Sequence, residues 1–347
     1  MKLVPRFLRS RVRRHLGRRA VILSYHRVAD ARVDPWDLAV RPDRFAEQLE
    51  VIARFGRATS LRDLVRSMNA GRVPRGAIAV TFDDGYADNL LQAKPLLERF
   101  DIPATIFLSA GILDGSKSFW WEQLTNLFLT AGPLPGGLEI EVEGNVHRWT
   151  LAGACEYSDE DARRDRDWRG WHAEAPTLRH RIYLELYGLL RPMREESREM
   201  VLAKLRSWAG RKPHPDLAFA TARALSTREA ALLGTGRVEV GAHTMTHPRL
   251  SVLNAADKAH EIQESRRTLE QIVGRSVTSF AYPYGQSGDY DAQSVAMVRQ
   301  AGYTLACANV PGPVTRRSNP FELPRFHVSD WNGDVFERNL DAWLNAA

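Results

Sequence analysis

Short apolar runs and amphipathic stretches alternate along most of this chain. Residues 20–25 (Ala-Val-Ile-Leu-Ser-Tyr) form a continuous apolar run of the buried-strand kind that ends at His26. Residues 44–55 place Phe45, Leu49, Ile52 and Phe55 at helical spacing, and Ser60 stands where a cap would start a second helix, from Leu61 to about Met68, closed by Gly71. The same reading gives strands over 77–82 and 104–108 with a helix over 86–100 between them. Farther on it gives strands over 238–242, 277–282, 303–307 and 322–327. The helices that separate or follow these span 257–273, 291–301 and 335–344. Strands spaced by helices predict an α/β fold with a parallel sheet and crossover helices. About seven or eight strands on this plan predict a closed or nearly closed (β/α) barrel, whose chemistry gathers at the C-terminal ends of its strands.

The rhythm breaks over residues 113–235. This stretch holds Trp120-Trp121, turn residues around 133–137, a short alternating segment over 138–142, a charged segment over 159–171 and a long helical pattern from 178 to 208. It reads as an insertion of mixed, largely helical character, so the barrel spans 19–347 with this interruption. Residues 1–18 stand apart as a basic N-terminal segment.

Polar groups with chemical potential follow the apolar runs: His26, Asp83, Asp84, His243, Tyr284 and His327. Two adjacent carboxylates at the end of a core strand repel each other unless a cation compensates them, although Asp84 also fits the cap of a helix starting near Tyr86. His243 and His247 lie four residues apart, so one compact turn brings both imidazoles to one ion. The position after His243 is Thr244 rather than Glu, which disfavours the zinc-protease helix motif. One acidic ligand, two imidazoles and a spare carboxylate suit a metal-assisted hydrolase, the spare Asp taking a proton from water.

Charge modifies the picture only locally. The formal net charge is +6, but Arg6, Arg9, Arg11, Arg13, Arg14, Arg18 and Arg19 crowd the first nineteen residues and leave the rest nearly neutral. No nucleic-acid motif accompanies them, so no nucleic-acid partner is expected. Residues 3–16 intersperse Phe7, Leu8 and Val12 with arginine and read as a frayed basic helix or as a segment lying on an anionic membrane surface. Cys155 and Cys307 offer no disulfide framework. No signal-peptide core or membrane span is legible, so the expected setting is cytoplasmic or peripheral at the inner membrane face. No pattern speaks to oligomeric state.

Read in order, Thr81-Phe-Asp-Asp-Gly85, His243-Thr-Met-Thr-His247 and Phe280-Ala-Tyr-Pro-Tyr-Gly285 resemble the polysaccharide deacetylase family, the NodB-homology carbohydrate esterases of family 4. The matching stretches bracket residues 20 to 330 outside the insertion. The resemblance implies a distorted (β/α) barrel that removes N-acetyl groups from amino sugars. By motif match Asp84, His243 and His247 hold a divalent ion, Zn²⁺ first and Co²⁺, Ni²⁺ or Mn²⁺ as alternatives. Asp83 is the general base, and the Tyr284 backbone N–H helps to hold the oxyanion.

Two departures from the family pattern matter. The arginine usual three residues before the Tyr is Ala281 here, and Arg325 is the candidate to replace it by pairing with Asp83. Ser24-Tyr-His-Arg-Val28 is similar to the circularly permuted branch acting on poly-N-acetylglucosamine, which makes His26 the candidate general acid and leaves His327, late in the chain, as its rival. The implied substrate is an N-acylated amino sugar, a glycan, or a lipid- or nucleotide-linked precursor in cell-surface or exopolysaccharide synthesis. A sugar N-deformylase and a non-catalytic glycan-binding barrel are the alternatives. Trp120 and Trp121 are expected to sit one in the core and one half-exposed, with stacking on a sugar ring as the functional alternative. His147, His172, His180, His214 and His260 are expected at the surface, and Asp88 and Asn89 are expected to cap a helix.

Overall fold

The structure is a computed structural model that describes residues 19–116, 118–172, 174–210 and 222–345. The basic segment 1–18 and His214 lie outside the described residues. Seven strands form one parallel sheet: β1 (Val21–Tyr25), β2 (Ile78–Phe82), β3 (Ala104–Leu108), β4 (Val238–Ala242), β5 (Ser279–Ala281), β6 (Leu305–Cys307) and β7 (Phe326–His327). Their order across the sheet is β6-β5-β4-β3-β2-β1-β7. The sheet curls into the distorted barrel expected from the alternation of strands and helices.

The last strand draws the two sheet edges together. Leu323 bridges in parallel to Cys307 of β6, and the Arg325 N–H donates to the Val310 carbonyl at 3.1 Å. Phe326 and His327 then pair with Leu23 and Ser24 of β1. The predicted strand over 322–327 is therefore split between two neighbours, and only its last two residues form a regular ladder.

Side chains of the strands divide into two sets, as an alternating pleat requires. Leu23, Tyr25, Val80, Phe82 and Ile106 face outward to the helices in the main core. Ile22, Ala79, Phe107, Ala281 and Cys307 face inward and form a second core. Helix α1 (Pro42–Phe55) begins on a proline and stops at Gly56, whose φ of 67° suits glycine. Helix α2 (Leu61–Asn69) is capped by Ser60, which accepts from the Asp63 N–H at 3.1 Å. Leu61, Leu64, Val65 and Met68 of α2 join the inward-facing core and plug the barrel at the N-terminal ends of its strands. Arg62, Arg66 and Asn69 on its other side are exposed.

Between β3 and β4 the chain builds a core of its own. Helix α3 (Trp120–Phe128), a hairpin of Gly137–Val142 with Asn145–Thr150, and helices α4 (Leu178–Leu190) and α5 (Glu195–Ala209) contribute to it. The single long helix expected over 178–208 is two helices. Pro192 lacks the N–H an unbroken helix would need there, and Arg191 ends α4. The helix expected over 86–100 begins at Ala87 and passes through a π-helical stretch at Asn89–Ala93 before Lys94–Arg99. Among the described residues no helix is long and apolar enough to cross a membrane.

Candidate active site

The turns leaving β2, β4 and β5 bring the candidate residues together. Asp84, Thr244, His247 and Tyr284 all have positive φ, between 59° and 74°, in the left-handed region that non-glycine residues avoid. Each such residue costs about 1–2 kcal/mol, so four at one site mark a place where chemistry outranks backbone comfort. Gly85 follows with φ 86°, and a Cβ there would meet the Leu108 side chain at 2.7 Å. The turn therefore holds Asp83 and Asp84 hard against the end of β3. Asp84 does not cap a helix: helical residues begin only at Ala87, and its carboxylate is turned to the two imidazoles.

Asp84, His243 and His247 are all buried and form a group able to hold a metal ion, with one ligand atom of each within 4.8 Å of the others. The Asp84 Oδ1 atom lies 3.5 Å from His243 Nε2 and 3.3 Å from His247 Nε2. A tetrahedral site with bonds of about 2.0 Å separates its ligands by about 3.3 Å, whereas a good hydrogen bond between these atoms would draw them to about 2.8 Å. His243 Nδ1 lies 2.8 Å from the Ala281 carbonyl. Donating that proton leaves Nε2 with a lone pair directed at Asp84. The donor set and its spacing fit a divalent ion.

The loop carrying the histidines is held from outside. Glu261, on helix α6 (Ala255–Val273), accepts the N–H groups of Met245 and Thr246 at 2.7 and 2.9 Å and the Thr246 hydroxyl at 2.7 Å. The Thr244 hydroxyl accepts the His247 N–H at 3.0 Å. Nothing in the local sequence pointed to Glu261, since it is one acid among several on a surface helix until the fold turns it inward.

Asp83 has a different partner from its neighbour. Arg325 grips it with two parallel hydrogen bonds of 2.7 and 2.6 Å, and also donates to Thr81 Oγ1 at 3.2 Å and the Ala308 carbonyl at 2.9 Å. Burial pushes the Asp83 carboxyl up, but Arg325 outweighs it and holds the group below the usual carboxylate range. For Asp84 burial again pushes up, and the two imidazoles bring the group far below that range. Both carboxylates are ionised at neutral pH.

The two candidate acids are placed unequally. His26 ends β1 close to both carboxylates, its Nδ1 is buried without a partner, and burial lowers its pKa to about 4 against the pull of Asp84 and Asp83. The His327 ring lies 5.8 Å from it, with Nε2 at 2.8 Å from the Asp37 carbonyl. Tyr284 sits beside the metal group, its ring 4.7 Å from that of His247. Its backbone N–H meets no acceptor among the described residues.

Other placements correct the sequence reading. Trp120 and Trp121 are both buried, so neither is an exposed platform for sugar. Trp121 instead walls the metal group, its ring 4.9 Å from His247 and its Nε1 donating to the Tyr86 hydroxyl at 2.6 Å. Asp88 and Asn89 do not cap a helix. Asp88 pairs with Arg27 at 3.1 Å, and Asn89 donates to the His26 carbonyl at 2.8 Å. Arg27 also reaches Glu122 at 3.1 Å, and Glu122 accepts from Tyr86 at 3.0 Å. This buried network ties the His26 turn to the insertion. The sequence hid it because its members lie up to 95 positions apart. His180 is buried rather than exposed, where desolvation lowers its pKa to about 4.

The polysaccharide deacetylase family matches residues 70–132 and 219–306, leaving out the middle of the insertion, 133–218. The match includes Asp83, Asp84, His243, His247 and Tyr284 and leaves out His26, Arg325 and His327. No curated protein matches the chain. Among solved structures, the chain is similar to the deacetylase PplD from Streptococcus pyogenes, in complex with acetate. That likeness has a TM-score of 0.57 at 15% identity over 93% of this chain and 98% of the other. It is also similar to IcaB from Ammonifex degensii (TM-score 0.55, 18% identity, 95% and 98% covered). A third is BA0330 from Bacillus anthracis, described as a putative polysaccharide deacetylase (TM-score 0.55, 16% identity, 93% and 69% covered). At these identities the likeness shows a shared fold.

Proposed function

This chain belongs to the polysaccharide deacetylase family, and from that premise we propose that it is a metal-dependent hydrolase of the N-acetyl amide of an amino sugar. The observation that carries the reading is the division of labour between neighbours. Asp84 joins two imidazoles in a metal-sized triad, while Asp83 is kept ionised by Arg325 and is not used as a ligand.

Asp84, His243 and His247 would hold the ion. When bound it supplies Lewis acidity to the amide carbonyl and to the attacking water. Asp83 takes the proton that the water releases, and its bidentate grip by Arg325 fixes the carboxylate that receives it. The Tyr284 N–H, otherwise without an acceptor, donates to the oxygen that gains negative charge. His26, whose pKa desolvation lowers to about 4, is neutral at rest; negative charge developing beside it raises its proton affinity, so that it takes up a proton from solvent and passes it to the departing amine. His26 is the better candidate acid because it faces the carboxylates while His327 is engaged with Asp37.

A purely glycan-binding barrel would not require the ionised Asp83 beside a complete donor set. We place the substrate among glycans or lipid- or nucleotide-linked precursors of cell-surface or exopolysaccharide synthesis. The setting is the cytoplasm or the inner membrane face. The test is metal analysis of the purified protein alongside acetate and formate release from a panel of N-acylated amino sugars. Acetate release that a chelator abolishes and Zn²⁺ restores supports the reading. Formate release alone makes the enzyme a deformylase, and release that survives complete metal removal overturns it.

A further inference from the structure

Several exposed arginines gather at the end of the barrel opposite the candidate site. Helix α2 closes that end, and its exposed Arg62 and Arg66 face Arg275 across a cavity of about 550 Å³ that Asn69, Ser276, Thr278 and Thr304 also line. Arg72 precedes β2 on the same floor. Arg316 and Arg317 occupy the exposed turn just after Val314, which bridges to Ala20 at the start of β1. The carboxylates nearby are already held: Asp63 by Arg66 at 2.9 Å, Glu239 by Arg62 at 3.2 Å, Asp101 by Arg237 at 2.5 Å, Glu270 by Arg266 at 3.0 Å and Glu98 by Lys94. Arg72, Arg316 and Arg317 make no ion pair with a carboxylate among the described residues, while Arg275 donates to the Val238 carbonyl at 3.0 Å and stands in the field of Glu239. Residues 19–347 hold 41 basic and 42 acidic side chains, so this excess reflects placement and not net charge.

We propose that the barrel floor is a docking face for the phosphate headgroups of an anionic lipid bilayer. Guanidinium forks pair with phosphate oxygens in two-point fashion, and the Asn69, Ser276 and Thr278 side chains supply further donors. A bilayer suits the face better than a nucleic acid, because no aromatic ring lines the cavity on which a base would stack. The chain also enters β1 at this end. The sequence just before it carries Lys2 and six arginines, with Leu3, Val4, Phe7, Leu8, Val12 and Leu16 among them. That is the composition of an interfacial anchor, and stable attachment usually takes two signals. Docked this way, the candidate site opens on the far side of the barrel, roughly 15–20 Å from the membrane, the length of a five-residue strand. Under the deacetylase reading, the enzyme then works on a glycan portion reached from the aqueous side and not on a sugar pressed against the bilayer.

The full-length protein is to be sedimented with phosphatidylcholine vesicles prepared with and without phosphatidylglycerol. Two variants of equal net charge are compared with it. The floor variant combines Arg62→Gln, Arg66→Gln, Arg72→Gln and Arg275→Gln. The control combines Arg148→Gln, Arg163→Gln, Arg194→Gln and Arg338→Gln, all exposed and away from the floor. Wild type is expected to favour the anionic vesicles about tenfold or more and to be released by high salt. The floor variant should lose at least about tenfold of that partition while the control keeps it. Equal binding by both variants, equal loss in both, or displacement from vesicles by a single-stranded oligonucleotide at lower concentration than by inorganic phosphate overturns the proposal. Amide hydrolysis of a soluble sugar, measured on the same preparations, should be unchanged in both variants. Failure of the docking idea therefore leaves the deacetylase reading standing, and the reverse holds too.

Discussion

The mouth and the floor of this barrel use arginine in opposite ways. At the mouth, Arg325 and Arg27 are buried and saturated by carboxylates: Arg325 by Asp83, and Arg27 by Asp88 and Glu122. At the floor, Arg62, Arg66 and Arg275 are exposed, and the ion pairs of Arg62 and Arg66 are single contacts open to water. A buried guanidinium cannot be left unpaired, so the mouth arginines fix geometry; screened surface pairs contribute little, which leaves the floor arginines available to a partner. The same side chain is thus a structural strut at one end and an electrostatic handle at the other.

Substitutions can break this contrast, beginning with the largest expected effect. Asp84→Ala should remove both metal and turnover, a loss of at least about a thousandfold in kcat/KM, read by metal analysis and product release together. Asp83→Asn should lower turnover by a comparable factor while metal content persists, because Asp83 is not among the proposed ligands. Retained turnover in that variant removes Asp83 from the mechanism.

Arg325→Met tests the strut. Removing one partner of a buried pair costs about 3–5 kcal/mol, which should appear as a lowered midpoint in urea unfolding. The Asp83 carboxyl, freed from the cation that holds it down, should titrate higher. Activity then falls on the acid side at a higher pH than in wild type. An unshifted acid limb means that Arg325 does not control the base.

His26→Ala should slow the reaction by roughly a hundredfold or more, with His327→Ala changing it far less. The reverse order makes His327 the acid. The smallest effect concerns His180. Its folded pKa of about 4 lies below the ordinary value, so the unfolded chain binds the proton first as the pH falls below about 6.5. Its contribution to stability is present above that pH and is lost on acidification toward 4. In a His180→Gln variant, urea unfolding followed across this range should show a shallower dependence on pH.

Much of the mouth was legible from local sequence because each ligand follows a strand. The runs ending at Phe82 and Ala242 fix where Asp83, Asp84 and His243 leave the sheet, and the four-residue spacing of the histidines allows one ion to see both. The pairing of Arg325 with Asp83 was foreseeable once Ala281 was seen to stand where the family has arginine. Glu261 and the Arg27–Glu122–Tyr86 network were not, since a carboxylate on a helix gives no local sign of which way the fold will turn it. Asp88, Asn89 and His180 misled for the same reason: their neighbours in sequence are polar, and only packing buries them.

The order and spacing of apolar runs, the acidic pair before Gly85 and the two histidines were enough to determine a parallel α/β barrel and the residue types of its chemistry. Tertiary structure alone decided which carboxylate faces the imidazoles and which faces Arg325, how the insertion walls the site with Trp121, and that Arg62, Arg66 and Arg275 line one cavity. Those outcomes depend on contacts between positions tens to hundreds of residues apart, and local patterns of polarity and spacing do not encode them.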